Sequence, residues 1–314
     1  MKKIIWVGLL CSATALYSGC QSPPGVGVLR SKGLLTFAEH GQPLLVYNHS
    51  AMTHKPYVQM LCTPSGVNVL RDQVADHLHH HGLMLAWSVN GVNFWEESSG
   101  CGYQSPGSPA YGVRSEQTGA RYRLSHESRW LDAEKTNTML TEQRLLTTRL
   151  TSKSRAAVTT WTSVFSVPSG QDSLRISGRH FDGLGMRFVE SMDSAAEFVY
   201  STGQPGPVFR GEERLTEADW CACRAVADGK PVTVAMFNDP ANPRPATWFT
   251  MSQPFAYLSA TMRLHETPIQ LQPGRDMTLR FGIALWDGHP ADSDIETIYR
   301  DWLRERTNSE KQTQ

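Results

Sequence analysis

Ala120-Arg121-Tyr122-Arg123-Leu124-Ser125-His126-Glu127-Ser128-Arg129-Trp130 decides the fold class. Apolar or aromatic side chains recur at every second position, with charged ones between them. That is the period of a strand with one face in a core and one in water. The same period recurs at 44–47, 57–61, 137–148, 156–167 and 174–180, and again at 220–226, 231–238, 256–265 and 277–285. Turn residues separate the runs, among them Thr63-Pro64-Ser65-Gly66, Pro168-Ser169-Gly170, Asp228-Gly229 and Pro273-Gly274. Many short strands with regular turns predict an all-β sandwich or barrel. A single helix is expected near the end, capped by Asp292 or Ser293. There Ile295, Ile298, Tyr299, Trp302 and Leu303 form a stripe at helical spacing, and Arg300, Arg304 and Arg306 face solvent.

The chain has 314 residues, with 30 basic and 30 acidic side chains. A pI near 7.2 argues against nucleic acid as a partner, since that function needs a basic face. Nine Trp, eleven Phe and nine Tyr argue against disorder. Lys2 and Lys3 precede an apolar run over 4–16 and then Tyr17-Ser18-Gly19-Cys20. This reads as a lipoprotein signal peptide over 1–19, with Cys20 the acylated residue. Residues 20–28 then form a tether, 29–306 a single β-sandwich domain, and 307–314 a polar tail. Such a chain is expected in the cell envelope, lipid-anchored. Gln21 after the cysteine favours the outer membrane, facing periplasm or exterior. Export permits disulfides, so Cys62, Cys101, Cys221 and Cys223 are either small buried residues or contain one bridge. A bond between Cys221 and Cys223 is disfavoured, because both would lie on one face of a strand.

Four of eleven histidines fall in Asp76-His77-Leu78-His79-His80-His81-Gly82. On an extended backbone His77, His79 and His81 share a face, and His80 points the other way. Those three could ligate a divalent metal. Alternatively, His77, His79 and His80 serve without metal as groups that titrate near neutrality. Asp76 could fix a tautomer.

These histidines belong to a wider set of motifs: Lys55-Pro56-Tyr57-Val58-Gln59, Thr63-Pro64-Ser65-Gly66-Val67, Arg71-Asp72, Asn90-Gly91-Val92-Asn93-Phe94-Trp95, Phe181-Asp182-Gly183-Leu184-Gly185-Met186-Arg187, Trp220, and Phe237-Asn238-Asp239-Pro240-Ala241-Asn242-Pro243 with Trp248. Together they resemble a bacterial family known as PmoA-like and treated as a domain of unknown function. The resemblance covers residues 29–304. It departs at Leu78 and His81, where the family has Pro and Arg, and at Asn238 and Asp239, where Asp and His are common. The resemblance implies a β-supersandwich akin to galactose mutarotase, and carbohydrate as the ligand class. A fold does not by itself fix a reaction. The methane-oxygenase label attached to that family fails on physics, because the chain has no apolar run of ~20 residues after its signal.

Arg187, after a glycine-rich turn, is a candidate to bind a sugar carboxylate or stabilise an oxyanion. Asp72, Asp76, Glu190 and Asp239 are candidate carboxylate partners, and Asn242, on a proline-bounded turn, could bind sugar hydroxyls. Trp87, Trp95, Trp220 and Trp248 are candidate platforms for pyranose rings, most of them expected to be core. The function expected is that of an exported lipoprotein enzyme acting on a carbohydrate. The reaction would be epimerisation, lysis or hydrolysis, through the histidine cluster with or without a metal. The alternative is a non-catalytic carbohydrate-binding lipoprotein of the envelope.

Overall fold

A computed structural model describes residues 26–116, 119–151 and 155–311. The expected signal peptide, Cys20 and most of the tether therefore lie outside the described residues. Two large antiparallel sheets face each other. One has ten strands, in the spatial order Val26–Ser31, Leu34–Glu39, Gln42–Asn48, Tyr57–Leu61, Leu83–Ala86, Gly183–Arg187, Tyr257–Thr261, Thr247–Met251, Glu213–Glu217 and Val208–Arg210. The other has nine. Its path runs Tyr103–Pro106, Gly119–Leu131, Thr138–Leu150, Ala156–Ser166, Met277–Asp287, Lys230–Asn238, Trp220–Ala227 and Glu197–Tyr200, with Ala110–Glu116 paired beside Gly119–Leu131. No helix among the described residues is long and apolar enough to cross a membrane.

The alternation read from sequence is what closes this sandwich. In Gly119–Leu131 the even-numbered residues Ala120, Tyr122, Leu124 and Trp130 are buried, while Arg123, Glu127 and Arg129 are exposed. The buried four share one core with Phe37, Leu45, Leu85 and Leu258 of the ten-stranded sheet, and Tyr122 stacks on Phe37 at 5.1 Å. At ~1.5–3 kcal/mol for each large apolar side chain buried, this layer is the main source of stability. Two inward positions carry charge instead. Glu142 and Arg144 are fully buried and joined Oε1 to Nε at 2.7 Å, with Arg144 also donating to Tyr47 Oη at 3.0 Å.

The outer face of the nine-stranded sheet is covered by one long helix, Asp292–Lys311. Ile295, Ile298, Tyr299 and Trp302 pack there on Val158, Trp220, Phe237 and Trp286. The expected stripe is thus a real packing face. The helix runs to Lys311, within the stretch expected to be a polar tail. Arg306 also turns back, Nη1 lying 2.9 Å from Asp239 Oδ1, rather than facing solvent alone. The four cysteines described are all buried free thiols.

Candidate functional site

The histidine segment forms the strand His77–His81, paired antiparallel with Asp72–Val74 in a two-stranded ribbon. Register slips between Asp72 and Val74, and Gln73 takes a positive φ of 50°. A bulge of this kind increases twist and re-aims side chains. The face assignment drawn from a flat strand is accordingly corrected: His77, His79 and His80 gather on one cavity, and His81 turns the other way. Gly82 ends the strand where a Cβ would meet Val58 O at 2.2 Å, so only glycine lets the ribbon press this closely on the sheet.

The cavity has a volume of about 410 Å³. His77 and His80 stack at 4.6 Å between ring centroids, and His79 stands edge-on to His80, also at 4.6 Å. Trp95, Phe181, Phe249, Phe255 and Tyr257 form the apolar wall. Tyr257 fits because residue 185 is glycine: a Cβ there would lie 2.2 Å from the phenol oxygen. The charged rim consists of Glu96 with Arg179, joined at 2.6 Å, and Glu213 with Arg210, joined at 2.7 Å. Glu213 Oε2 also lies 3.0 Å from His180 Nε2.

Burial pushes the His80 imidazole down to about 2, reinforced by His79 and His77, and lowers His79 as well. These two rings are neutral at pH 7, so they can accept or donate hydrogen bonds without adding positive charge to the cavity. Arg179 holds the Glu96 carboxyl below its ordinary range through its hydrogen bond. Among the described residues, five buried polar atoms on the cavity's side chains make no hydrogen bond: His77 Nδ1, which faces Asp76 at 3.0 Å, and His80 Nδ1, Trp95 Nε1, Arg179 Nη2 and Tyr257 Oη. Each such atom costs ~1–3 kcal/mol if nothing satisfies it.

Behind the cavity runs a buried chain of charge. Lys55 Nζ donates to Trp95 O at 3.0 Å and to Glu97 Oε1 at 2.5 Å. The same carboxylate oxygen lies 2.8 Å from His81 Nε2, and His81 Nδ1 lies 2.8 Å from Asp72 Oδ1. Tyr57 Oη completes the chain by donating to Asp72 Oδ2 at 2.9 Å. Burial works against the His81 imidazolium, but its hydrogen bonds to Asp72 and Glu97 prevail and raise it above its ordinary value.

Several residues expected at the site stand elsewhere. His81 does not converge with His77 and His79, so the expected metal set is not assembled. Among the described residues no group of three or more His, Cys, Asp or Glu side chains could hold a metal ion. Asp72 serves His81. Asp76 remains beside the site, 3.0 Å from His77 Nδ1. Arg187 is 2% exposed and lies behind Phe255, its guanidinium carbon 3.3 Å from that ring's centroid, with Nε and Nη1 unpartnered. Glu190 pairs with Arg71 at the surface. Trp220 is buried under the C-terminal helix, donating to Glu296 at 2.8 Å. Asp239 holds Arg280 and Arg306, and Asn242 accepts from the Arg280 backbone at 2.7 Å. Trp220 and Asp239 tie the helix to the sheet, and Asn242 braces the turn beside Arg280, away from the histidine ribbon. Of the candidate tryptophans only Trp95 lines the cavity; Trp87 and Trp248 are core. Sequence reading missed Glu96, Arg179, Arg210 and Glu213. The first two flank motifs already singled out, at Trp95 and Phe181. The other two lie on or beside an edge strand with no sequence signal.

An all-β sandwich with one histidine- and aromatic-lined cavity defines the class of protein. The profile of a family of unknown function, DUF6807, matches residues 35–300, and the chain belongs to that family. No curated protein matches it. Among solved structures it is similar to the GH36 α-galactosidase AgaB of Geobacillus stearothermophilus, with 9% identity and a TM-score of 0.49. That match covers 83% of this chain and 41% of the enzyme, so the chain spans about two fifths of its length. A putative aldose 1-epimerase of Klebsiella pneumoniae gives 10% identity and a TM-score of 0.40, covering 88% of this chain and 86% of that one. A galactose mutarotase related enzyme of Lactobacillus acidophilus gives 9% identity and 0.36, covering 84% and 97%.

Proposed function

We propose that the protein is an envelope lipoprotein enzyme whose substrate is a carbohydrate, held in the cavity under the histidine ribbon. The observation that carries this reading is the mixture on the cavity's residues: an aromatic wall beside unpartnered buried polar atoms of His80, Trp95 and Tyr257. A pyranose has the same mixture, with C–H faces for the rings and hydroxyls for the polar atoms. His79 and His77 are the proton-transfer candidates, because they keep access to the cavity mouth. His80 is a neutral hydrogen-bonding group. The reaction is an epimerisation, lysis or hydrolysis that uses imidazole at a sugar hydroxyl or acidic C–H. Cys20 carries the lipid anchor, and Cys20→Ala should move the protein from the membrane to the soluble fraction.

One observation favours the binding-only alternative: an imidazole held as low as His80 is a poor base at pH 7. A panel of sugars and glycosides, assayed with wild type, His79→Gln and His80→Gln, separates the readings. The enzyme reading expects turnover to fall ~10²–10⁴-fold in His79→Gln with folding intact. Binding without any turnover in wild type leaves the lectin-like alternative, and absence of sugar binding removes both.

A further inference from the structure

A second cavity, of about 400 Å³, adjoins the first. Its walls are of a different kind. Ser88, Asn93, Ser177, Asp182, His265 and Glu266 supply hydroxyl, amide, imidazole and carboxylate groups, with no phenyl or indole ring. Arg179 lines both cavities. Its Nη1 reaches Glu96 on the first side at 2.6 Å, and its Nε reaches Asp182 on the second at 3.4 Å. Nη2 is buried with no partner. The same short segment serves both sides: Asn93 faces the second cavity, while Trp95 and Glu96, whose backbone N–H groups donate to Asn93 Oδ1, face the first. Among the described residues both buried ring nitrogens of His265 lack a hydrogen bond, Nε2 facing Glu266 Oε1 at 3.5 Å, and this ring stands 6.0 Å from that of His180.

We propose that the two cavities are two subsites of one cleft, and that the ligand is a glycoside of at least two joined units rather than a free monosaccharide. This rests on the carbohydrate reading above and extends it. One unit sits against the aromatic wall and the imidazoles; the next sits among the polar groups of the second cavity. Arg179 lies between them, lining both cavities, and its contacts to Glu96 and Asp182 fix its height at the junction. Neither cavity alone explains why polar side chains that make no hydrogen bond among the described residues continue past Arg179 as far as His265. A reaction on a free aldose would use the first cavity and leave the second without a role.

The test is calorimetric titration of the full chain with glucose, galactose and methyl galactoside, and with maltose, cellobiose, lactose and melibiose. The best disaccharide should bind at least tenfold more tightly than the best monosaccharide. Ser177→Trp, which fills the second cavity, should bring that ratio toward one. Because Ser177 lies on a strand, Glu266→Trp, at an exposed position between Tyr257–Thr261 and Ile269–Leu271, provides a second way of filling the cavity without touching the sheet. Equal affinities for one and two units, with the ratio unmoved by either substitution, would overturn the two-subsite proposal and leave the carbohydrate reading standing. Failure of every sugar to bind would overturn both.

Discussion

Glu97→Gln tests whether the buried charge chain behind the cavity is a structural tie. The carboxylate is held at about 2, with burial opposed by His81 and Lys55, whose hydrogen bonds and charge both favour the ionised form. Against an ordinary value of 4.5, that depression corresponds to about 3 kcal/mol at neutral pH. The amide keeps the shape and removes the charge, leaving fully buried Lys55 without its counter-ion. Removing one partner of a buried pair typically costs ~3–5 kcal/mol, in line with the figure from Glu97 itself. At roughly 2–3 °C per kcal/mol in a chain of this size, the melting temperature should fall by about 6–15 °C at pH 7. The sign with pH follows from the direction of the shift. A depressed carboxylate stabilises the fold above pH 4.5 and loses that effect as pH falls toward 2. The gap between wild type and variant in thermal melts should therefore be widest above pH 4.5 and narrow below it. Melts that coincide within 2 °C at pH 7 would refute the tie. So would a gap that widens on acidification.

Other substitutions probe other parts of the molecule. Arg187→Met removes a buried guanidinium that has no ion pair among the described residues, so stability in urea should change by less than ~1 kcal/mol or rise; a loss above ~3 kcal/mol would mean that Arg187 is firmly partnered. Trp302→Ala should cost ~3–5 kcal/mol, because its indole fills the interface between helix and sheet and donates to Thr160 at 2.9 Å. His80 takes up its proton much later folded than unfolded, so acid favours the unfolded chain. Between pH 6.5 and 5 this should remove up to about 2 kcal/mol of wild-type stability, and His80→Leu should flatten that part of the stability–pH curve. Gly185→Ala should displace the Tyr257 phenol and reduce sugar affinity, measurable by the titration used for the two subsites.

The sandwich was legible because its signal is local. A residue's side of a strand depends only on parity, so the stretch 120–130 announces its inner face without reference to its partners. The helix stripe was legible for the same reason at a different period. The cavity was legible only in part. His77, His79 and His80 declared themselves by density along the chain. Arg179 and Glu213 matter because Gly183–Arg187 and Glu213–Glu217 lie in one sheet with Tyr257–Thr261 and Thr247–Met251 between them, a neighbourhood that no local pattern encodes. Asp239, Asn242 and Trp220 were misplaced for a related reason. A rigid polar turn looks the same whether it holds a ligand or, as here, the arginines of a neighbouring strand and helix.

Parity also misled at the histidine ribbon, and the physics of that error explains the site. The bulge at Gln73 twists the ribbon so that residue 80 joins 77 and 79, while 81 faces the sheet below. Four rings that are chemically the same before folding then meet different surroundings. His80 loses water and gains two imidazole neighbours, so it stays neutral. His81 also loses water, but it gains two carboxylates and is favoured as the cation. The cationic ring anchors the strand to Asp72 and Glu97, and through Lys55 to the Trp95 carbonyl. Trp95 and Glu96 in turn wall the cavity opposite the neutral rings. One short run of histidines thus supplies both the uncharged lining and the charged foundation beneath it. Disturbing the foundation should loosen the cavity without removing any residue that lines it. Glu97→Gln should therefore weaken sugar binding even at temperatures where the variant is fully folded.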